Sequence, residues 1–585
     1  MAMAAPSSFS FASLPLRRMC TGSVLLRLPH FAAVWSLLPH RRQKSTPKQI
    51  DVAASAVDAS TFCSSSSNEK KEIIAPFPSS AYVHLPFCKK RCFYCDFAIV
   101  AVGERTNKGS TSDLHIDSIM ESYVDLICTE MESSFKLWNP SSYQVPPLKT
   151  LFFGGGTPSL LPAKHISRII EAFQSFCGFE DTVEISMEMD PGTFDRDTLS
   201  AFLDCGVNRI SLGVQAFNES FLKECGRSHG LDDVYEAIDL IHGCGMKNWS
   251  LDLISSLPYQ TINLWEDSLK EAIKASPAHL SVYDLQVEEG TKFGNWYKPG
   301  KFPLPDEGSS ASFYKSASCL LREAGYEHYE ISNYAKQGYQ CQHNMVYWKN
   351  SPYYAFGLGS TSYVHGHRFS RPRKWKVYAE YVKELEAMAT KCDTHGSKST
   401  GKCIETMQDV ERIMEVVGLS QSATLSGNSN EMQDLDTNRI ESAEDRDAMK
   451  SLDTQDIKHC IGFGGDGHET TIEDKFCDTI MLSLRLAQGL DLTEILQSFG
   501  EDLYLCLCEA FLTFVKSAHA EALNKNRGTI SLELYSSLVA QRSAAHISEE
   551  VFFIRLSDPE GFLLSNEIIS SLFSALPSMK QQNKL

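Results

Sequence analysis

Six short β-rich runs alternate with helix-like segments between residues 81 and 286. A strand, a crossover helix and a second strand form a right-handed unit with parallel strands, so this alternation predicts one parallel sheet covered by helices. Six strands suit an open partial barrel as well as a doubly wound sheet, and both folds place their chemistry at the carboxyl ends of the strands. The predicted strands are Tyr82–Phe87, Thr150–Phe153, Val183–Met189, Arg209–Val214, Trp249–Ile254 and His279–Leu285, and the predicted helices are His115–Leu137, Ala163–Phe176, Asp232–His242 and Ile262–Ala275.

Three cysteines, Cys88, Cys92 and Cys95, follow the first predicted strand. Thiolates that converge in one loop are typical ligands of iron–sulfur clusters, and three ligands on a four-iron cube leave one iron open. A structural zinc ion needs four ligands. Phe97 cannot provide the fourth but His84 can, so a zinc-binding interaction module stays an alternative. Eighteen cysteines in 585 residues are too sparse for a disulfide scaffold and favour a reducing compartment.

The pattern Cys-x3-Cys-x2-Cys, with Tyr94 before the last cysteine, resembles the signature of radical S-adenosylmethionine (SAM) proteins. The phrase from Tyr82 to Cys88 is similar to the opening of the subgroup that contains oxygen-independent coproporphyrinogen III dehydrogenase and the heme chaperone HemW. The resemblance covers roughly residues 80–390 and resumes at about residue 472. It implies a partial (β/α)6 barrel, a 4Fe-4S cluster held by the three cysteines, and SAM chelated to the open iron.

The resemblance also assigns residues at the later strand ends to SAM. The loop Gly154–Pro158 is similar to the family's GGTP loop beside the methionine part of the cofactor, and glycines there allow a close approach of the backbone. A buried acid on an apolar strand, such as Asp252, is costly without a partner, which independently favours a site there. The cofactor-binding residues implied in this way are Tyr82, Tyr94, Gly155, Gly156 and Thr157, Glu188 for the ammonium group, Gln215 and Asp252 for the ribose, and Arg227 for the carboxylate.

Two features favour the HemW side of the subgroup. The dehydrogenase pattern has a further cysteine where this chain has Phe97. The run from His343 to Trp348 resembles a His-Asn-x-x-Tyr-Trp motif that is associated with heme, and imidazole is a common axial ligand of heme iron. His343 is therefore the predicted heme ligand, with Cys341 as a further candidate and a hydrogen-bonded structural histidine as the alternative. The function predicted is a heme chaperone that delivers heme to apoproteins, and the alternative is a radical SAM coproporphyrinogen III dehydrogenase.

The chain ends and one internal stretch differ in composition from the rest. Residues 1–50 hold seven Arg and Lys residues and no acid, and with the Ser-rich residues 51–75 they predict a transit peptide and linker for a mitochondrion or chloroplast. Residues 392–471 are polar and acidic with no sustained period, which predicts a low-complexity insertion between a barrel unit at 76–391 and a C-terminal unit at 472–585. The net charge of −18 argues against nucleic-acid binding. No apolar run is long enough to span a bilayer, which leaves peripheral membrane contact open. The predicted cluster implies an electron donor as a partner.

The last hundred residues predict a small winged-helix-like domain. Helices are expected at Asp474–Gln488, Leu492–Phe499 and Asn566–Leu576, with a β-hairpin over Val551–Ser565. The segment lacks a basic recognition helix, so a lid or partner-docking role is favoured over DNA binding.

Overall fold

The computed structural model describes residues 77–104, 111–138, 145–364, 366–395 and 472–576. The predicted transit peptide and nearly all of the predicted insertion lie outside these ranges. No helix in the described part of the chain has the length and hydropathy needed to cross a membrane.

A nine-stranded sheet forms the centre of the molecule, in the order β11-β1-β4-β5-β6-β7-β8-β10-β9. All six predicted strands are present as the parallel series β1 and β4 to β8. Prediction missed β11, which adds a seventh parallel strand beside β1, and the antiparallel pair β10 and β9 beyond β8. The strands of the sheet are β1 (Ser80–Leu85), β4 (Leu148–Gly155), β5 (Phe179–Met189), β6 (Arg209–Gln215), β7 (Trp249–Ser255), β8 (His279–Asp284), β9 (Glu327–Glu330), β10 (Asn333–Ala335) and β11 (Tyr354–Phe356); the short pairs are β2 (Phe87–Cys88) with β3 (Val100–Ala101) and β12 (Thr361–Val364) with β13 (His367–Ser370).

The two faces of this sheet differ in chemistry because side chains alternate along each strand. On β6, Ile210, Leu212 and Val214 join the main apolar core, which lies against the surrounding helices. The alternate residues Ser211, Gly213 and Gln215 face the cleft inside the barrel. Sequence alternation of this kind therefore gives the barrel an apolar outer face and a polar interior.

The predicted crossover helices are confirmed in position, with ends that shift by at most four residues. Several begin at side-chain caps, in which a polar side chain accepts a hydrogen bond from an early backbone N–H. Asn218 caps the helix at Glu219–Glu224, and Thr261 caps the helix at Ile262–Ala275. The helices of the barrel unit are Thr111–Trp138, Ala163–Phe176, Arg196–Asp204, Glu219–Glu224, Leu231–Gly243, Ile262–Ala275, Lys292–Trp296, Glu307–Glu323, Gln342–Trp348 and Trp375–His395.

The C-terminal part is helical with a three-stranded antiparallel sheet in the order β14-β16-β15, around its own apolar core. The predicted β-hairpin is wrong. Its first half forms β16, but the residues after Asp558 turn into a helix that buries Phe562. The strand instead pairs with two distant segments, which short-range turn signals cannot indicate. The elements are the strands β14 (Leu490–Asp491), β15 (Ala520–Leu523) and β16 (Phe553–Leu556) and the helices Ile472–Ser483, Leu492–Phe499, Glu501–Lys516, Leu532–Ala540, Ala544–Glu550, Glu560–Leu563 and Ser565–Ala575.

Candidate functional site

One cleft lies at the carboxyl ends of the parallel strands, where the fold predicts chemistry. Ten of the thirteen predicted site residues line it, and Tyr82, Tyr94 and His343 do not. The ten are Cys88, Cys92, Cys95, Gly155, Gly156, Thr157, Glu188, Gln215, Arg227 and Asp252.

Cys88 ends β2, and Cys92 and Cys95 lie in the loop between β2 and β3; all three thiols are free. Burial raises the pKa of the Cys88 thiol and raises that of Cys95 to about 12, so both are protonated at neutral pH in the absence of a metal centre. No three His, Cys, Asp or Glu side chains in the described ranges are arranged to hold a single metal ion. A cuboidal cluster binds each thiolate at a different iron, so its ligands need not meet at one point.

Both ring nitrogens of His84 have hydrogen-bond partners, so His84 does not complete a zinc site with the cysteines. Its Nδ1 lies 3.1 Å from the Tyr82 hydroxyl, and its Nε2 lies 2.8 Å from the carbonyl oxygen of Ala98. Burial lowers the pKa of His84 to about 4, so the ring is neutral. It packs under Gly155, whose φ of +109° and lack of a Cβ permit this contact, since a Cβ there would lie 2.4 Å from the imidazole.

The glycine loop after β4 is held against the end of β1. The N–H of Gly156 donates to the carbonyl of Leu85 at 2.8 Å, and the N–H of Thr157 donates to that of Phe87 at 2.6 Å. A Cβ on Gly156 would lie 2.5 Å from the backbone of Pro86, so only glycine fits. The loop thereby places backbone and the Thr157 hydroxyl beside Cys88, at 3.6 Å from its sulfur.

Two buried carboxylates face the cleft from β5 and β7, the strands on either side of β6. The side chain of Glu188 accepts a hydrogen bond from the N–H of Gly155 at 3.0 Å, and burial raises its pKa to about 7. Asp252 accepts hydrogen bonds from Ser211 at 3.0 Å and from Ser250 at 3.2 Å. Gln215 reaches the same space from a left-handed backbone with φ of 72°, a strained conformation that non-glycine residues adopt mainly at functional sites. Together they offer a negative, hydrogen-bonding wall to a cationic ligand.

Arg227 also lines the cleft and connects it to the cysteines. Its guanidinium donates to Asp190 at 2.7 Å, to the Tyr94 hydroxyl at 3.2 Å and to the Cys92 sulfur at 3.3 Å. Its Nε is buried and finds no hydrogen-bond partner among the described residues. A buried unsatisfied donor is uncommon, so it is a fitting partner for a bound carboxylate.

Asp190 is the residue of this cleft that the sequence analysis missed. It accepts from Arg227, and its other oxygen lies 3.4 Å from the Thr157 hydroxyl, so it connects the donors that reach Cys92 and Cys88. Its position directly after β5, two residues beyond Glu188, was the signal that could have revealed it.

The remaining predicted residues lie beneath or behind the cleft. Tyr94 packs behind the cysteines with only its hydroxyl directed at Arg227. Tyr82 lies inside the barrel under Gly154, where a Cβ would stand 3.1 Å from its ring. Both tyrosines support the site from below and do not line it.

His343 lies at the other end of the barrel interior, on a short helix, Gln342–Trp348, that we call the floor helix. Its side chain is 1% exposed. Its Nδ1 is 2.8 Å from the Thr150 hydroxyl, its Nε2 is 2.9 Å from that of Tyr347, and its ring stacks on Phe152. Both ring nitrogens are thus occupied in this structure.

A buried network of polar groups surrounds the floor helix. Glu184 accepts from the backbone N–H groups of Gln342 and His343 at 3.0 and 3.4 Å, and Arg209 lies 3.8 Å from it. Cys341 is buried against the same carboxylate, with its sulfur 3.9 Å away. The floor helix therefore closes the barrel by hydrogen bonds to β4 and β5.

Comparison with known proteins agrees with this geometry. A model of the Radical SAM superfamily matches residues 142–272. A heme chaperone HemW of Synechocystis sp. is 44% identical over 305 residues, which cover 52% of this chain and 71% of that protein. A heme chaperone HemW of Escherichia coli is 38% identical over 284 residues, with 48% and 69% covered. A radical S-adenosyl methionine domain-containing protein 1, mitochondrial, of Danio rerio is 32% identical over 282 residues, with 48% and 60% covered.

Among solved structures, the coproporphyrinogen III oxidase HemN of Escherichia coli is similar, with a TM-score of 0.56. The match covers 86% of this chain and 91% of that one at 18% identity. This likeness supports the fold, including the C-terminal part.

Proposed function

Since this chain belongs to the HemW family of radical SAM proteins, we propose that it is a heme chaperone that binds a 4Fe-4S cluster, SAM and heme and delivers heme to apoproteins. The observation that carries the proposal is the 44% identity to a HemW protein over 71% of its length. The gathering of ten predicted residues from separate strand ends in one cleft supports the cofactor part of it.

The cleft fits the two cofactors by the chemistry of its donors. Cys88, Cys92 and Cys95 would hold the cluster, and the donors from Thr157 and Arg227 already point at two of the sulfurs. The carboxylate wall would bind the ammonium and ribose groups of SAM, while the unpartnered Nε of Arg227 would meet its carboxylate. When bound and reduced, such a cluster can pass an electron to the sulfonium of SAM.

Heme binding by His343 stays a prediction, and it requires the side chain to break its present hydrogen bonds. The imidazole would have to release Thr150 and Tyr347 before either nitrogen could ligate iron. That release would open the floor of the barrel and leave two buried hydroxyls without partners, which is costly.

The second candidate function is oxidative decarboxylation of coproporphyrinogen III. The HemN-like fold favours it, together with the cleft in which seven of the residues predicted to bind SAM come together. Phe97, in place of a further cysteine, favours the chaperone.

The cellular setting and the domain division belong to the same proposal. The basic, acid-free residues 1–50 support import into a mitochondrion or chloroplast, and one relative is named mitochondrial. We assign residues 1–75 to the leader, 76–391 to the barrel unit, 392–471 to an insertion and 472–585 to the C-terminal unit. A reductant for the cluster and heme-accepting apoproteins are the expected partners.

The test begins with anaerobic reconstitution of the chain with iron and sulfide, followed by titration with SAM and with hemin. Retention of about four irons per chain together with saturable binding of both ligands supports the proposal. A colourless protein that holds one zinc ion, or iron without any saturable Soret change, contradicts it.

A further inference from the structure

An exposed aromatic surface lies beside the cysteine loop and outside the cleft. Phe302 is 83% exposed, Trp296 is 53% exposed and Tyr259 is 52% exposed, although large apolar side chains are usually covered. We call these residues, with Phe93 and Tyr297, the aromatic rim.

The rings of the rim form two groups of contacts, one around Trp296 and one between Tyr259 and Phe302. Phe93, between two of the cysteines, meets Trp296 edge to face at 5.1 Å between ring centroids, and Trp296 lies 6.2 Å from Tyr297. Tyr259 meets Phe302 edge to face at 5.4 Å. The segment is joined to the cysteine loop by the N–H of Phe293, which donates to the carbonyl of Phe93 at 2.9 Å. The rim is thus a built surface on ordered backbone.

Tyr259 is held outward by an unusual backbone. Its φ is +63°, a left-handed value that costs about 1–3 kcal/mol for a bulky residue. Its N–H donates to the carbonyl of Pro303 at 2.7 Å, which ties it to the segment that carries Phe302. No described residue makes a hydrogen bond to its phenol oxygen, so that oxygen is available to a ligand.

Residues 290–305, which carry three of the rim's aromatic side chains, are basic, whereas the chain as a whole is acidic. Lys292, Lys298 and Lys301 lie between Gly290 and Pro305 with no acidic residue among them, in a protein of net charge −18. All three lysines are exposed. Lys292 stands over the Phe93 ring at 4.6 Å from its centroid. Acids occur only at the two ends of the segment, at Glu289 and Asp306.

We infer that the aromatic rim is a heme-binding surface, with the phenol of Tyr259 as the iron ligand and the lysines as partners of the propionates. The inference rests on the proposed function, and it places the heme at the aromatic rim and not at His343. Heme is a flat apolar ring with two carboxylates. The ring can pack on exposed aromatic side chains, and the carboxylates can pair with the neighbouring lysines. Tyrosine is a known axial ligand of heme iron. A site at the surface can release its ligand to an acceptor, whereas His343 is enclosed.

The test compares hemin titrations of the full chain and of Tyr259→Phe, which removes only the phenol oxygen. We expect the affinity to fall by about tenfold or more and the Soret and charge-transfer bands of phenolate-bound ferric iron to disappear. Tyr235→Phe is the matched control, because Tyr235 is also an exposed tyrosine, at 43%, and lies on the helix Leu231–Gly243, outside the aromatic rim. A joint Lys298→Ala and Lys301→Ala variant, which leaves the ligand in place, should weaken binding and reduce its salt dependence.

The outcomes separate the inference from the proposed function. Wild-type spectrum and affinity in Tyr259→Phe overturn the inference and leave the chaperone proposal intact. The loss of heme binding in His343→Ala with an unchanged Tyr259→Phe assigns the ligand to the floor helix. Absence of saturable hemin binding in the wild-type chain contradicts the chaperone proposal itself.

Discussion

The two ends of the barrel interior hold similar polar residues but use them differently. At the cleft, Glu188 accepts one hydrogen bond from the described residues, the buried Nε of Arg227 has no partner among them, and the thiols are free. At the floor, both ring nitrogens of His343 are hydrogen-bonded, and Glu184 accepts from two backbone N–H groups and pairs with Arg209. The difference teaches that a buried charged residue identifies a binding site only where the fold leaves part of it unsatisfied.

The largest expected effect is at the cysteines. Cys92→Ser should reduce the iron content from about four per chain to near zero, because serine cannot replace a thiolate on the cluster. Cys225→Ser is the control, since Cys225 is buried in the same apolar core but does not line the cleft. Iron analysis and the absorption spectrum after anaerobic reconstitution provide the measurement. Full iron in Cys92→Ser would show that the cleft is not the cluster site.

Substitutions in the floor helix should change the stability of the protein and leave the binding of the cluster and of SAM unchanged. His343→Phe keeps an aromatic ring but strands the Thr150 and Tyr347 hydroxyls, so we expect a loss of about 2–4 kcal/mol in the free energy of unfolding. His242→Phe, at an exposed helix end, should cost less than about 1 kcal/mol. Urea unfolding measures both. A His343→Phe protein as stable as the wild type would refute the structural role of the floor helix.

Two glutamates on the same strand compare the cleft with the floor of the barrel. Glu188→Gln should weaken SAM binding about tenfold, because a carboxylate facing the cofactor's cation is lost. Glu184→Gln, four residues earlier on the same strand, should leave SAM affinity near the wild-type value and lower stability instead. Isothermal titration of the reconstituted proteins distinguishes the two. Equal losses of affinity would mean that the two ends of the barrel are not separate.

The smallest effect is in the pH dependence. Burial raises the pKa of Glu188 from 4.5 to about 7, so its proton is bound more tightly in the folded chain. Its contribution to stability is therefore complete below pH 4.5 and is lost as the pH rises through about 7. SAM affinity should change in the other direction and increase through the same range as the carboxylate ionises. In Glu188→Gln the increase should disappear; an unchanged profile would assign it to another group.

Local patterns predicted the barrel well because its units are contiguous in sequence. The cysteine triplet and the residues after each strand were placed correctly at one edge, since parallel strands bring their carboxyl ends together. The edge strands β9, β10 and β11 and the pairing of β16 depend on partners far along the chain, which no local period reveals. The occupied nitrogens of His343 and the bridging role of Asp190 likewise follow from tertiary contacts.

The central claim is that the chain carries heme and releases it to another protein. The most direct measurement loads the reconstituted, SAM-bound protein with one heme and mixes it anaerobically with an apo-hemoprotein, while a parallel sample receives coproporphyrinogen III. The account predicts transfer of the Soret absorption to the acceptor and no decarboxylated product. Conversion of coproporphyrinogen III with formation of 5′-deoxyadenosine, without heme transfer, would contradict it.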